Sequence, residues 1–488
     1  DSLPLSEISL PPPLSEEELL EELDFLAGLN RKWRSFIGMG YYETAMPYVI
    51  RRNVFENPSW YTPYTPYQAE ISQGRLLMLF LYQTMTAEIM GLDIACASLL
   101  DEATACAEAV SMAIRISPDK GNGEKRVLLH PYLLPQVLNA VKTRLEVLEI
   151  NYEIAYPEEL DDFNKYICAL LPYPDRHGNV RDWTAICKKM KEDGCIPVVN
   201  ADPLMCVLLK EPGGMGFEIA CGHFQRFGLP MGYGGPHPGF LASKKEYVRQ
   251  MPGRLIGASL DKHNNIAFRM ALQTREQHIR RERATSNICT AQSLPAILST
   301  FYCMYHGKEG LSEISQRIYK YTHFLYSKFM QKSIKVVNES FWGTLTIAVS
   351  PASLKKIKER SKKCKYNLWY EEGPRCLVSF SIDELTGEED VRKLHWIITG
   401  QNCNPQELSS WRCDVPESLK RKTDFLNYSY FKDYRTETEM MRFIKRLSSL
   451  DLGLNDTMIP LGSCTMKLNS AVTLHPLTMR NFNLHPYV

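Results

Sequence analysis

Three segments of this chain bring together residue types that can do chemistry. The first is Pro230-Met-Gly-Tyr-Gly-Gly-Pro-His237. Adjacent glycines let backbone N–H groups approach a phosphate or carboxylate closely. The run is neither G-x-G-x-x-G nor a Walker A loop, since no Gly-Lys-Ser/Thr follows, and a tight turn into a strand at Phe240 is the plainer account. The second segment, Gln273 to Thr290, holds four arginines within nine positions (Arg275, Arg280, Arg281, Arg283), then Thr285, Ser286 and Asn287. Guanidinium forks bind carboxylate and phosphate bidentately, and hydroxyls complete such a site. A solvated helical face, with Glu276 and Glu282 as internal partners, accounts for the same composition. The third is Met458–Lys467, where Gly462-Ser-Cys-Thr465 offers hydroxyls, a thiol and a nearby lysine. Cys464 as a nucleophile would need a base and a lowered pKa. Nothing in the sequence places His475 beside it, so it reads as an inert buried thiol. No Ser/His/Asp or Cys/His set has diagnostic spacing, and no His/Cys cluster reads as a metal site.

The elements that must hold these segments are legible from periodicity. Leu76, Leu77, Phe80, Leu81 and Met85 recur at helical spacing after Gln73. Ala95–Ile114 is so rich in small residues that it reads as a helix other elements approach closely. Short apolar runs then alternate with amphipathic ones such as Trp183–Glu192. The apolar runs are Val127–Leu129, Val147–Ile154, Tyr166–Leu171, Ile196–Val199, Met205–Leu209, Phe217–Ala220 and Phe240–Ala242. This alternation predicts an α/β layer with a mainly parallel sheet. Residues 71–330 are assigned to that large domain. Residues 1–70 read as an N-terminal arm and irregular segment. Ser15 caps a helix entered through Glu16–Glu18, and Pro47, Pro58, Pro63 and Pro66 interrupt any helix further on. The chain reads as helical from Ala291 to Gln331. Strand-like runs at Ile334–Val337, Gly343–Val349 and Cys376–Ile382 make residues 331–400 a small α+β domain. Its last helix is given a capping box by Thr386 and Glu389 and a stop at Gly400. Residues 401–488 read as a polar connecting stretch with one helix at Glu437–Leu450.

Composition sets limits. The 488 residues carry 57 Lys+Arg against 56 Asp+Glu, a formal charge of +1, which gives no electrostatic case for nucleic acid or an anionic membrane. No apolar run approaches the ~20 residues of a membrane helix. The 14 cysteines are scattered without a C-x-x-C, which suits a reducing compartment.

Several stretches together resemble one family, the P-protein of the glycine cleavage system. They are Ile37-Gly-Met-Gly-Tyr-Tyr42, Tyr64-Thr-Pro-Tyr-Gln68 with Gln73-Gly-Arg75, and Ala97-Ser-Leu-Leu-Asp-Glu102. To these are added Gln225-Arg-Phe-Gly228, Gly232–His237, Met251-Pro-Gly-Arg-Leu-Ile-Gly257, Ala271–Gln292 and Met458–Asn469. The resemblance spans nearly the whole chain in order. It implies an aminotransferase-like fold, that of fold type I pyridoxal-phosphate (PLP) enzymes, with a sheet of the seven-stranded type and a small C-terminal domain. It also implies a PLP-dependent glycine decarboxylase that passes an aminomethyl group to the lipoyl arm of an H-protein. The family is built from two homologous halves, and this chain resembles the first half with only the opening of the second. The catalytic Schiff-base lysine is then expected in the other half, since its counterpart here is Gln225, and an amide cannot form that bond. Asp202 matches the slot for an acid against the pyridinium nitrogen, and without the lysine it reads as structural. Lys244, Lys245 and Lys467 are not convincing substitutes. Departures from the family pattern are the absent opening of the usual first half, Glu218 where Asp is usual, and Gly222-His-Phe224 in place of smaller residues.

The expected site is accordingly an interface. No catalytic residue and no metal ligand is assigned. Gly234, Gly235, Pro236, His237, Arg280, Thr285, Ser286 and Asn287 are placed nearest a partner, either the catalytic half or a second P-protein chain. Two other readings stay open: a complete PLP enzyme acting on another amino acid, and a non-catalytic scaffold or regulatory subunit. The continuity of Met458–Lys467 with the first half suggests the fused type, hence a mitochondrial matrix location, with a bacterial cytoplasm as the other choice.

Overall fold

In a computed structural model of the chain, the described residues are 11–61, 66–117, 126–272, 279, 291–456 and 470–488. A seven-stranded sheet forms the centre. Its order is Ile94–Ala95, Gly239–Ser243, Ile219–His223, Ile196–Ala201, Tyr166–Tyr173, Arg126–Leu129, Tyr152–Ile154. Gly239–Ser243 runs against its two neighbours, and the remaining pairings are parallel. Every residue of the four strands from Tyr166–Tyr173 to Gly239–Ser243 is buried, as expected of a sheet covered on both faces. Successive residues serve opposite cores. Val198 packs with the helices Glu102–Ile116 and Pro135–Val147, while Val199 packs with Gln73–Met90 and the long helix Ser293–Gln331.

The structure adjusts several expectations. The small-residue stretch is a helix only from Glu102, because Asp101 caps it by accepting from Thr104 N at 2.7 Å. Val147 ends a helix begun at Pro135, leaving Tyr152–Ile154 as strand. Met205–Leu209 is no strand. Asp202 caps a short helix Pro203–Cys206, and proline in its first turn favours that start over extended chain. Residues 38–70 are less irregular than expected: Tyr48–Ile50 continues into a π-helical turn Arg51–Phe55, fitted between Pro47 and Pro58. In the small domain the strands are ordered Lys335–Val336, Thr344–Val349, Cys376–Ser381, Trp369–Glu371, the last not anticipated. The helix Glu388–Thr399 is capped at Gly387, whose N–H donates to Asp390 at 2.9 Å; Thr386 instead bonds Asp383.

Two segments join the domains. Arg34–Ser35 pairs in parallel with Tyr366–Asn367 of the small domain, and Arg34 donates to Asp383 at 2.8 Å. The chain then passes through Gly38–Tyr42 between the domains. Gly38 needs a positive φ (71°), and a Cβ there would collide with the Ser381 side chain. The residues expected to form a connecting stretch are largely folded back. Helix Glu437–Ser448 lies on Gln73–Met90, and residues 481–488 lie over the glycine-rich loop.

Candidate functional site

Open α/β sheets bind ligands beyond the carboxyl ends of their parallel strands. Here Tyr173, Asn200–Asp202 and His223 end three adjacent strands around a cavity, closed from the small domain by Thr344 and Ser381 and from the linking segment by Gly40 and Tyr42. Its volume is about 40 Å³, enough for a few waters but far below the ~300 Å³ lower range of small-molecule pockets.

The space is filled by an internal ion pair. Arg226 Nε donates to Asp202 Oδ2 at 2.6 Å, and both side chains are nearly buried, 4% and 11% exposed. The guanidinium carbon lies 3.1 Å from the Tyr42 ring centroid and 4.9 Å from that of Trp342, so the cation is held between two aromatic faces. Asp202 is held in turn by accepting from Leu204 N at 3.0 Å and Met205 N at 3.3 Å. Beside it Gln225 is fully buried. Its Oε1 accepts from Tyr42 N at 3.0 Å, and its Nε2 donates to Tyr42 O at 2.8 Å and Leu229 O at 2.7 Å. The amide thus satisfies both backbone groups of Tyr42 and fixes the ring that stacks on Arg226.

The opposite wall is acidic. Glu102, in the first turn of its helix, accepts from Asn200 Nδ2 at 3.0 Å, and its other oxygen lies 3.7 Å from His223 Nε2. Burial raises its carboxyl to about 7, against the Asn200 hydrogen bond, with the Asp202 and Asp101 charges adding to the rise. Burial pushes the His223 imidazole well below its usual range, helped by His237 and Arg226, so the ring is neutral. A carboxyl with a raised folded pKa contributes stability that is fully present below its unfolded pKa and lost as pH rises through the folded one. For Glu102 that window runs from 4.5 to about 7, a loss on the order of 3 kcal/mol. Glu102→Gln keeps an acceptor for Asn200. The difference in urea-unfolding free energy between the two proteins should therefore grow in favour of the variant across this window. A difference independent of pH would contradict the assignment. Taking the difference cancels His237 and His485, both lowered to about 4 by burial, which act in the opposite sense.

The glycine-rich loop does not cradle an anion here. Gly232 N donates to Asn483 Oδ1 and Tyr233 N to Leu484 O, both at 2.9 Å, while Gly234 N closes a turn on Met231 O at 2.8 Å. His485 follows, buried, 2.9 Å from Gly38 O and edge-on to Tyr41, which also meets His237 at 5.6 Å between centroids. Of the interface candidates, Gly234 therefore lies against Pro486 and His237 is buried, while Gly235 is partly exposed and Pro236 is exposed. Arg280, Thr285, Ser286, Asn287, Cys464 and Lys467 lie outside the described residues. Lys244 is paired with Glu218 at 3.2 Å. Arg226, Tyr42, Glu102 and His223 build the site; the sequence placed the first three inside family-like stretches and His223 in a departure from the family pattern, and gave none of them a role. A charged residue set among Phe224, Gln225 and Phe227 was the available signal, since a buried arginine requires a carboxylate nearby.

The sheet order, the single reversed strand and the small domain against the strand ends define a fold type I PLP-enzyme architecture. The glutamate decarboxylase of Lactobacillus brevis shares it over 85% of this chain and 97% of its own, at 10% identity and a TM-score of 0.57. The chain belongs to the glycine cleavage system P-protein family, whose model matches residues 4–398. It is 44% identical over 487 residues to a glycine dehydrogenase (decarboxylating) of Stutzerimonas stutzeri, covering 99% of this chain and 50% of that one. It is 41% identical to the mitochondrial glycine dehydrogenase (decarboxylating) of Dictyostelium discoideum, covering 97% and 48%. A crystal structure of a glycine decarboxylase (P-protein) in inhibitor-bound form superposes with a TM-score of 0.73 at 33% identity, covering 81% of this chain and 92% of that one. The chain thus spans about half the length of the curated relatives it matches. Bacterial and mitochondrial relatives stand at similar identity, so the likeness selects no compartment. Among the described residues, no helix is long and apolar enough to cross a membrane.

The residues present do not fit pyridoxal phosphate. The position expected for the lysine is an amide with every partner assigned, and the acid expected to face a pyridinium faces Arg226. A helix N-terminus is the natural seat for a phosphate, yet here the first turn presents the carboxyl of Glu102 to the cavity.

Proposed function

We propose that this chain is the non-catalytic half of a PLP-dependent glycine decarboxylase, and that its vestigial site positions the catalytic half instead of holding the cofactor. In the complete protein, glycine would be decarboxylated and the aminomethyl group passed to the lipoyl group of an H-protein. The observation that carries this reading is the Asp202–Arg226 pair, stacked on Tyr42 and Trp342 where a cofactor ring would lie. The exposed part of the glycine-rich loop, from Tyr233 to Pro236, is the shoulder assigned to the partner half, with His237 buried behind it; Arg280, Thr285, Ser286 and Asn287, expected from sequence to lie nearest the partner, are outside the described residues. The mitochondrial matrix is the proposed compartment, to be checked by fractionation with an antibody against residues 310–400.

Mixed with excess pyridoxal phosphate, the purified chain should show no stoichiometric absorbance band near 400–430 nm (approximately the range of a lysine-bound cofactor). Borohydride should trap no single pyridoxyl-lysine. Glycine decarboxylation should appear only when a lysine-bearing second half and a lipoylated carrier are added. Gln225→Lys should not create activity, because Arg226 still fills the space and the lysine would displace the Tyr42 clamp. One stoichiometric adduct, or turnover by the chain alone, would sink the proposal and favour a complete enzyme of another substrate class.

A further inference from the structure

The helix Pro351–Cys364 and the residue after it carry seven cations, Lys355, Lys356, Lys358, Arg360, Lys362, Lys363 and Lys365, against Glu359 alone. The chain as a whole is nearly neutral, at +1, so this is a local segregation of charge. Lys358 is paired with Glu372, and Arg360 donates to the Ile398 carbonyl at 3.1 Å. The other five lysines are exposed and have no ion pair among the described residues. The helix packs against Glu388–Thr399, which borders a hollow of about 600 Å³ walled by Trp396, Arg392, Asn402, Cys403, Pro405 and the ion pair of Lys393 with Glu389. Trp396 is partly exposed there. The cofactor-site argument uses none of these residues.

We propose that this face of the small domain docks an acidic protein segment bearing an apolar anchor, with the anchor on Trp396 and the carboxylates on the lysine-rich helix. The volume suits one or two side chains, and most of the surface the hollow exposes is apolar although Glu389, Arg392, Lys393 and Asn402 also line it. A membrane is disfavoured because the lysine-rich helix itself exposes no large apolar side chain to insert beside its charges. A nucleic-acid backbone is disfavoured because Glu371, Glu372, Glu388 and Glu389 interrupt the basic face, and a polyanion would have to cross them. For an acidic segment, whose carboxylates are spaced and interrupted by apolar residues, the same mixed charges set register.

The test uses the full chain and four fluorescent probes. These are an amphipathic helical peptide with Glu on one face and Leu on the other, the same peptide with Lys for Glu, a thymidine oligonucleotide, and phosphatidylserine vesicles. The acidic peptide alone should bind, and about tenfold more weakly when salt rises from roughly 50 to 300 mM. Reversing Lys355, Lys356, Lys362 and Lys363 to Glu should weaken it by at least about tenfold. Trp396→Ala should weaken it several-fold while leaving the salt dependence intact. Equal binding by the quadruple variant would overturn the proposal, as would tighter binding of the oligonucleotide or vesicles. The chain also carries an acidic helix of its own, Glu16–Leu29, with Phe25, Leu26 and Leu29 exposed. Dimerisation seen by sedimentation and abolished by the same lysine reversals would assign the face to a second copy and overturn it too.

Discussion

Arg226→Ala should lower the stability of the chain by about 3–5 kcal/mol, because it strips the partner from a buried carboxylate. Asp202 would keep the two backbone N–H groups of its cap, Leu204 N and Met205 N, but would face an emptied cavity with its full charge. The rings of Tyr42 and Trp342 would lose the cation between them. Urea midpoints at constant slope read the change directly. The double variant Arg226→Met with Asp202→Asn separates pairing from packing. Methionine refills part of the volume, and asparagine still caps the short helix without a charge to bury. It should therefore be clearly more stable than Arg226→Met alone. A single variant within about 1 kcal/mol of wild type would mean that water or a shifted side chain satisfies Asp202. The packed-site account would then fail.

Asp451→Ala should be nearly as costly, about 3 kcal/mol or more, and its effect should appear far away in sequence. Helix Gln73–Met90 has no side-chain cap from its own Ser72. Asp451 caps it instead, accepting from Gly74 N at 2.6 Å, Arg75 N at 3.1 Å and Arg75 Nε at 2.9 Å. Both charged side chains are buried, 2% and 1% exposed. One carboxylate therefore serves as helix cap, ion-pair partner and tie for the helix Glu437–Ser448. Alanine removes the carboxylate that pairs with Arg75 and caps the helix, while the bonds of Arg75 to Ser72 Oγ and Ile71 O are among those that remain. Limited proteolysis should then cut within residues 430–456 much faster than in the wild type. Asp451→Asn, which can still accept from Gly74 N but turns neutral toward Arg75, should fall between the two. Unchanged cleavage in Asp451→Ala would show that apolar contacts alone hold this region.

Local signals wrote most of the layer architecture into the sequence. Apolar runs such as Tyr166–Leu171 and Ile196–Val199 are buried on both faces, so they announce a covered parallel sheet without knowledge of their neighbours. The cap at Ser15 and the stop at Gly400 likewise depend on residues within one turn, and both stand as expected, with Glu18 completing the Ser15 cap as a capping box. Run-by-run resemblance carried the family for the same reason: each matching stretch is contiguous. Two local signals gave way to a competing helix start. The apolar run Met205–Leu209 yielded to Asp202 as cap with Pro203 in the first turn, and Thr386 yielded to Gly387 as cap.

The filled site was decided only in three dimensions. Tyr42, Asp202, Arg226 and Trp342 come from a linking segment, a strand end, a turn and the small domain, and no periodicity relates them. Arg226 in sequence is one cation between aromatic residues, equally consistent with a surface turn. Its burial follows from crossovers that bring three strand ends and the small domain to one place. The glycine-rich loop makes the same point in reverse. Its spacing allows an anion cradle, yet folding gives the N–H groups of Gly232 and Tyr233 to Asn483 and Leu484, some 250 residues on. Residue type sets what a group can bond; the chain's return path decides which partner arrives, because a backbone donor takes the acceptor that the topology brings within reach.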